Sequence, residues 1–120
     1  MEALTRVYVL PYPPSVNGYW RRVGFRTLVS REGRRYRRAV RALLAARADE
    51  EPLTGRLEVT VALRPPDRRR RDIDNAMKAL LDSLGHAGAF IDDSQIDRLH
   101  IERREPVAGG EAAVRVTEIG

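Results

Sequence analysis

Two hydrophobic periodicities stand side by side in the middle of this chain and constrain its fold more than anything else in it. Leu57, Val59, Val61 and Leu63 alternate with Glu58, Thr60 and Ala62, the period of two that marks a half-buried strand. Pro65-Pro66 ends that run. Ile73, Met77, Leu80, Leu81 and Leu84 then recur at helical spacing, and Gly85 or Gly88 closes the helix. The same grammar repeats on either side. Thr5 to Leu10 reads as a short strand stopped by Pro11. Ser30 is an N-cap for a helix from about Arg31 to Arg47, with Tyr36, Val40, Leu43 and Leu44 on one face. Leu99 with Ile101 and Val114 with Val116 mark two more strands. The turn between them, Pro106 to Gly110, predicts that they pair as an antiparallel hairpin. The order β-α-β-α-β-β gives the α+β class: a mixed sheet with two helices in one small domain spanning residues 1–120.

Charge narrows the partners. There are 22 basic and 17 acidic residues, a net charge of +5, and a pI of about 10.4. A polyanion such as nucleic acid is the favoured partner for such a surface. There is no cysteine, which excludes disulfides and thiolate metal sites and fits a reducing, cytoplasmic setting. Met1 to Arg6 lacks the basic start and apolar core of a signal peptide. No apolar run approaches the ~20 residues a membrane span needs, so no membrane association is expected. Gly109-Gly110 lacks the rest of a phosphate-binding loop, and no organic cofactor is expected. His86 and His100 fall in no acid–base or metal pattern and read as surface or helix-end residues.

The chemistry concentrates between Arg68 and Lys78. Arg68-Arg69-Arg70-Arg71 is a phosphate-binding run, and Asp72-Ile73-Asp74-Asn75 follows it directly. Lys78 is the only lysine; the other 21 basic residues are arginines. Lysine is a compact charge that can lose its proton, which arginine cannot do. Residues two apart share a side only in extended chain, so Asp72 works with Asp74 only on an extended approach to the helix. Asp74 then shares a face with Lys78 at i+4. The bland alternative is that one aspartate caps the helix while Asp74 pairs with Lys78 as an exposed ion pair. A second acidic cluster, Asp92-Asp93, follows the helix. The helix ends lie ~20 Å apart, and Ala89-Phe90-Ile91 is long enough to run back beside it. If it does, several carboxylates converge. Such convergence repels unless a cation is bound, and Mg²⁺ prefers oxygen ligands. Upstream, Tyr19, Trp20 and Phe25 interleave with Arg21, Arg22 and Arg26. This reads either as a base-stacking surface or as a small aromatic core under a loop.

Pro11-Tyr12-Pro13-Pro14-Ser15-Val16-Asn17, Pro66-Asp67 with the arginine run through Asn75 and Lys78, Ala87-Gly88 and Asp92-Asp93-Ser94-Gln95 together resemble the RusA family of Holliday-junction resolvases. The resemblance covers nearly the whole chain, in order. It implies a small homodimeric, Mg²⁺-dependent endonuclease that cuts four-way DNA junctions symmetrically. It implies that Asp72, Asp74 and Asp93 are metal-binding catalytic carboxylates, Asp92 a supporting metal ligand, and Lys78 an essential catalytic lysine. The loop aromatics and His86 match no position of assigned role. A basic, non-catalytic nucleic-acid-binding protein remains the alternative, as does a nuclease acting on RNA or flaps.

Overall fold

The computed structural model of the chain describes residues 4–47 and 49–120. Met1 to Ala3, the first half of the segment read as lacking a signal peptide, lies outside them. In chain order the elements are β1 (Thr5–Leu10), a one-turn α1 (Val16–Tyr19), β2 (Trp20–Val23), β3 (Arg26–Val29), α2 (Arg31–Ala45), β4 (Leu57–Arg64), a 3₁₀ turn (Ile73–Ala76), α3 (Met77–His86), a second 3₁₀ turn (Asp93–Gln95), β5 (Ile96–Arg103) and β6 (Glu111–Glu118). The α+β class and the two long helices are as the periodicities predict. The expected order lacks α1 and the β2–β3 ribbon, which lie between Pro11 and Ser30 where no strand or helix was expected.

Four strands form the main sheet in the order β1-β6-β4-β5. β6 is antiparallel to both β1 and β4, while β5 runs parallel to β4. The expected β5–β6 hairpin is therefore wrong: β4 lies between them. The reason is visible at the end of β4. Pro65 offers no N–H to continue a ladder. The chain leaving β5 instead crosses that end, with Arg104 N donating to Leu63 O (2.8 Å) and Val107 N to Pro65 O (3.0 Å). β6 has the more apolar inner face, with Ala112, Val114 and Val116 buried, and takes the central place. β5 is mostly exposed and serves as an edge.

The core lies between one face of this sheet and helices α2 and α3. Leu57, Val59, Val61 and Leu63 meet Tyr36, Val40, Met77, Leu80, Leu84 and Phe90 there. Of the predicted α2 stripe, Tyr36 and Val40 are buried, Leu44 packs at the edge, and Leu43 faces solvent. Tyr36 also donates from its hydroxyl to Pro11 O (2.8 Å), which ties the proline-rich loop to α2. No helix is long and apolar enough to cross a membrane among the described residues.

The ribbon is a separate two-stranded sheet, held only at its root. Tyr19 is fully buried. Ser30 N donates to Tyr19 O, and Ser30 Oγ donates to Gly18 O while accepting from Gly33 N, so one serine caps α2 and closes the ribbon. Gly33 lets α2 approach this closely: a Cβ there would stand 2.7 Å from Tyr19 O.

Candidate active site

The approach to α3 is extended, as the pairing of Asp72 with Asp74 requires. Asp67 organises it. Its carboxylate accepts from Arg69 N (2.9 Å) and Arg71 Nη1 (2.7 Å), and lies 3.5 Å from Arg69 Nε. The Arg71 hydrogen bond, then that from the Arg69 backbone, hold Asp67 below the usual aspartate range. Arg103 donates to Arg71 O from the neighbouring strand. Arg68 pairs with Glu105 at 2.6 Å, both fully in solvent. Three of the four arginines of the run thus have carboxylate partners, and Arg70 has none among the described residues. The run and Arg103 and Arg104 line a hollow of about 340 Å³.

Asp72 has φ −84° and ψ 134° and makes no capping bond. The reading of Asp72 as a helix cap therefore does not hold. The alternative Asp74–Lys78 ion pair is also not formed. The first turn is 3₁₀, and its 120° step carries Asp74 away from the face of Lys78 that an α-helix would give it. Lys78 Nζ instead lies 4.0 Å from Asp93 Oδ2. Asp72, Asp74 and Lys78 are all exposed.

Asp93 reaches Lys78 because the chain does turn back beside α3. Gly88, at φ 93°, makes the turn. Ala89 and Phe90 are buried behind it, and Leu53 N donates to Ala89 O. Gln95 then locks the loop. Its Oε1 accepts from Ile91 N and Asp92 N (both 2.8 Å), and its Nε2 donates to Leu53 O and Gly55 O (both 2.9 Å). Asp92 forms the other half of a capping box and accepts from Ser94 N at 3.0 Å. Hydrogen bonds from Ser94 hold Asp92 below the usual range, with a smaller contribution from the charge of Lys78.

Four side chains around Lys78 were not singled out from sequence for this role. Trp20 presents its ring 5.9 Å from Nζ. Asp82, one helical turn beyond Lys78, accepts from Arg37 Nη2 (2.6 Å) and from the Tyr19 hydroxyl, and Arg37 Nε donates to the same hydroxyl (2.8 Å). Burial pushes Asp82 upward, but the bonds from Tyr19 and Arg37 and the charges of Arg37 and Lys78 outweigh it, and its pKa is lowered. The spacing from Lys78 to Asp82 is i+4, a signal readable in the sequence; Tyr19 and Arg37 join only through tertiary packing. The interleaved aromatics divide. Tyr19 is core, Trp20 is half-buried beside Lys78, and Phe25 is fully exposed.

The carboxylates lie in two groups. Lys78, Asp82, Asp92 and Asp93 line one hollow of about 320 Å³ with Arg37 and His86. Asp72 lines another of about 320 Å³ with Asn75, Arg70, Arg71 and Tyr12. Among the described residues no three Asp, Glu or His side chains are placed to hold one metal ion. The donors fit a hard cation in kind, since all are carboxylate oxygens; the two groups do not close on a single point. His86 ends α3, where Arg41 donates to its Nε2 (2.9 Å), and His100 is exposed on β5.

Exposed acids beside a lone lysine, bordered by arginine-lined hollows on a basic α+β domain, suit chemistry on a polyanionic backbone, and the class this defines is a nuclease. Sequence comparison gives the particular family. The model of the family described as endodeoxyribonuclease RusA matches residues 11–118. A protein of Enterobacteria phage HK97 named crossover junction endodeoxyribonuclease rusA is 43% identical over 112 residues, covering 93% of each chain. Its namesakes in Escherichia coli strain K12 and Enterobacteria phage 82 are 37% and 36% identical over 111 residues, 92% of each chain. The chain belongs to the RusA family of endodeoxyribonucleases.

Proposed function

We propose that the protein is a structure-selective endodeoxyribonuclease that resolves Holliday junctions by paired, symmetric phosphodiester cuts. It would act in the cytoplasm as a homodimer. A two-fold dimer carries two sites and so suits a junction whose two target strands are related by an approximate two-fold axis. The observation that carries the reading is the Lys78–Asp93 pair. The chain folds back along α3 to bring Asp93 within 4.0 Å of its one lysine. The absence of a capping bond from Asp72 leaves its carboxylate free for a ligand, which supports the reading.

Asp72, Asp74 and Asp93, with Asp92 in support, would hold Mg²⁺. When bound, the ion supplies a charge that acidifies water and neutralises phosphate oxygens. The chain's own groups do the rest. Lys78 Nζ would neutralise charge on the phosphoryl oxygens or give its proton to the leaving oxygen as the P–O bond breaks. Arg70, with no carboxylate partner among the described residues, would take a flanking phosphate first. Arg68, Arg69 and Arg71 would do so by releasing Asp67 and Glu105.

Asparagine substitutions test the assignment. Asp72→Asn, Asp74→Asn and Asp93→Asn keep the side chain's shape and one oxygen while removing the charge. Each is expected to abolish cutting of a synthetic four-way junction while binding it as tightly as wild type or more so. Gel-shift titration beside a single-turnover cleavage assay reads both. Near-normal cutting by any of the three at saturating Mg²⁺ removes that residue from the site.

A further inference from the structure

We propose that the β2–β3 ribbon is a wedge for the branch point of the junction, with the Phe25 ring entering between bases. This rests on the junction-cutting function proposed above. Phe25 sits at the ribbon tip, after Gly24 at φ 61°, and its relative exposure is 104%, that of a ring touching nothing. Val23 and Leu28 behind it are also exposed, at 43% and 40%. The apolar tip therefore has no role in this chain's own core.

Charge identifies the occupant. Residues 20–29 carry Arg21, Arg22 and Arg26 and no acid. Among the described residues none of these three arginines has a carboxylate at ion-pair distance, in contrast to Arg68, Arg69 and Arg71. The ribbon is a positively charged projection without acids of its own, and its tip is aromatic. Nucleic acid accepts both: arginines pair with phosphates, and apolar side chains slip between base steps. A branch point is the cheapest place to insert, because unstacking costs least where stacking is already interrupted.

The root of the same ribbon reaches Lys78. Trp20 begins β2 and faces the ammonium group. Arg22, paired with Thr27, lies on the face of Trp20 between the cleft and the tip, while Arg21 and Arg26 lie on the other face with Val23 and Leu28. Four residues of strand cover about 10 Å, or about three base steps at the 3.4 Å spacing of one DNA strand. A ring in the branch point would thus stand a few nucleotides from a phosphate at Lys78.

The experiment compares wild type, Phe25→Ala and Phe25→Trp on a four-way junction carrying 2-aminopurine at the crossover and on a matched duplex, both in EDTA. Wild type and Phe25→Trp are expected to change the 2-aminopurine emission on the junction; Phe25→Ala is not. Phe25→Ala should lose at least about fivefold of the preference for junction over duplex, the effect of one stacked base, with duplex affinity and thermal midpoint unchanged. With Mg²⁺ added, a mismatched pair at the crossover should restore its cutting, because the site no longer needs opening. The proposal is overturned if Phe25→Ala keeps both the emission change and the preference. It is also overturned if sedimentation shows that Phe25→Ala has become monomeric where wild type is dimeric, since the ring then joins two copies. A wild-type protein that neither prefers nor cuts the junction sinks the underlying function, and the wedge with it.

Discussion

Lys78 has an environment in which an arginine would not serve. Its ammonium group sits between Asp93 and the face of Trp20, one turn from Asp82. As a stabilising ion pair this contact is worth little: both partners are near half-exposed, and such pairs contribute about 0–1 kcal/mol. In the proposed function its value is chemical. A guanidinium is planar, larger and never deprotonated. Lys78→Arg is therefore expected to be nearly as inactive as Lys78→Ala, with a loss on the order of 10²–10⁴-fold in single-turnover rate and an unchanged melting temperature. Cutting by Lys78→Arg at close to the normal rate would reduce Lys78 to a generic cation. At this scale the surroundings of Lys78 were half readable from sequence. The extended approach to α3 followed from spacing, because it is a local property. The Tyr19–Arg37–Asp82 network was not, since its members lie 18 to 63 residues apart. Nor was the failure of Asp74 to meet Lys78, which depends on a single turn being 3₁₀ and not α.

Elements were readable where burial imposes a period. β4 shows its alternation over eight residues because both its neighbours and two helices cover one face. β2 and β3 bury almost nothing, so no period marks them, and Gly24-Phe25 within an arginine-rich stretch reads as loop. The pairing of β5 failed for a different reason. A short turn suggests a hairpin, but the prolines after β4 opened a path across its end, and the more apolar β6 took the central position. The ribbon's attachment makes a sharp prediction at Gly33. Alanine in an exposed helix usually stabilises by about 0.5–1 kcal/mol over glycine. At Gly33 the new methyl would press on the Tyr19 carbonyl and on Val29 Cγ1, each 2.7 Å away. Gly33→Ala should instead destabilise by about 1–3 kcal/mol and weaken junction binding by displacing the ribbon root. Thermal melts with gel-shift titration check both. A raised midpoint would show that α2 and the ribbon separate freely.

Taken whole, the molecule is a sheet with helices on one face and its candidate chemistry along α3. The acids there form two groups, one on the approach to the helix and one on the return from it. In the proposed function a bound cation and a junction phosphate draw these groups into one cutting site, used twice by a symmetric pair of chains. The direct measurement uses a synthetic four-way junction labelled on each of its four strands in turn, incubated with the wild-type protein in Mg²⁺ or in EDTA. Cuts are expected at symmetric positions on one pair of opposing strands, present in Mg²⁺ and absent in EDTA. Tight binding with no cut in either buffer, or cutting that persists in EDTA, would contradict it.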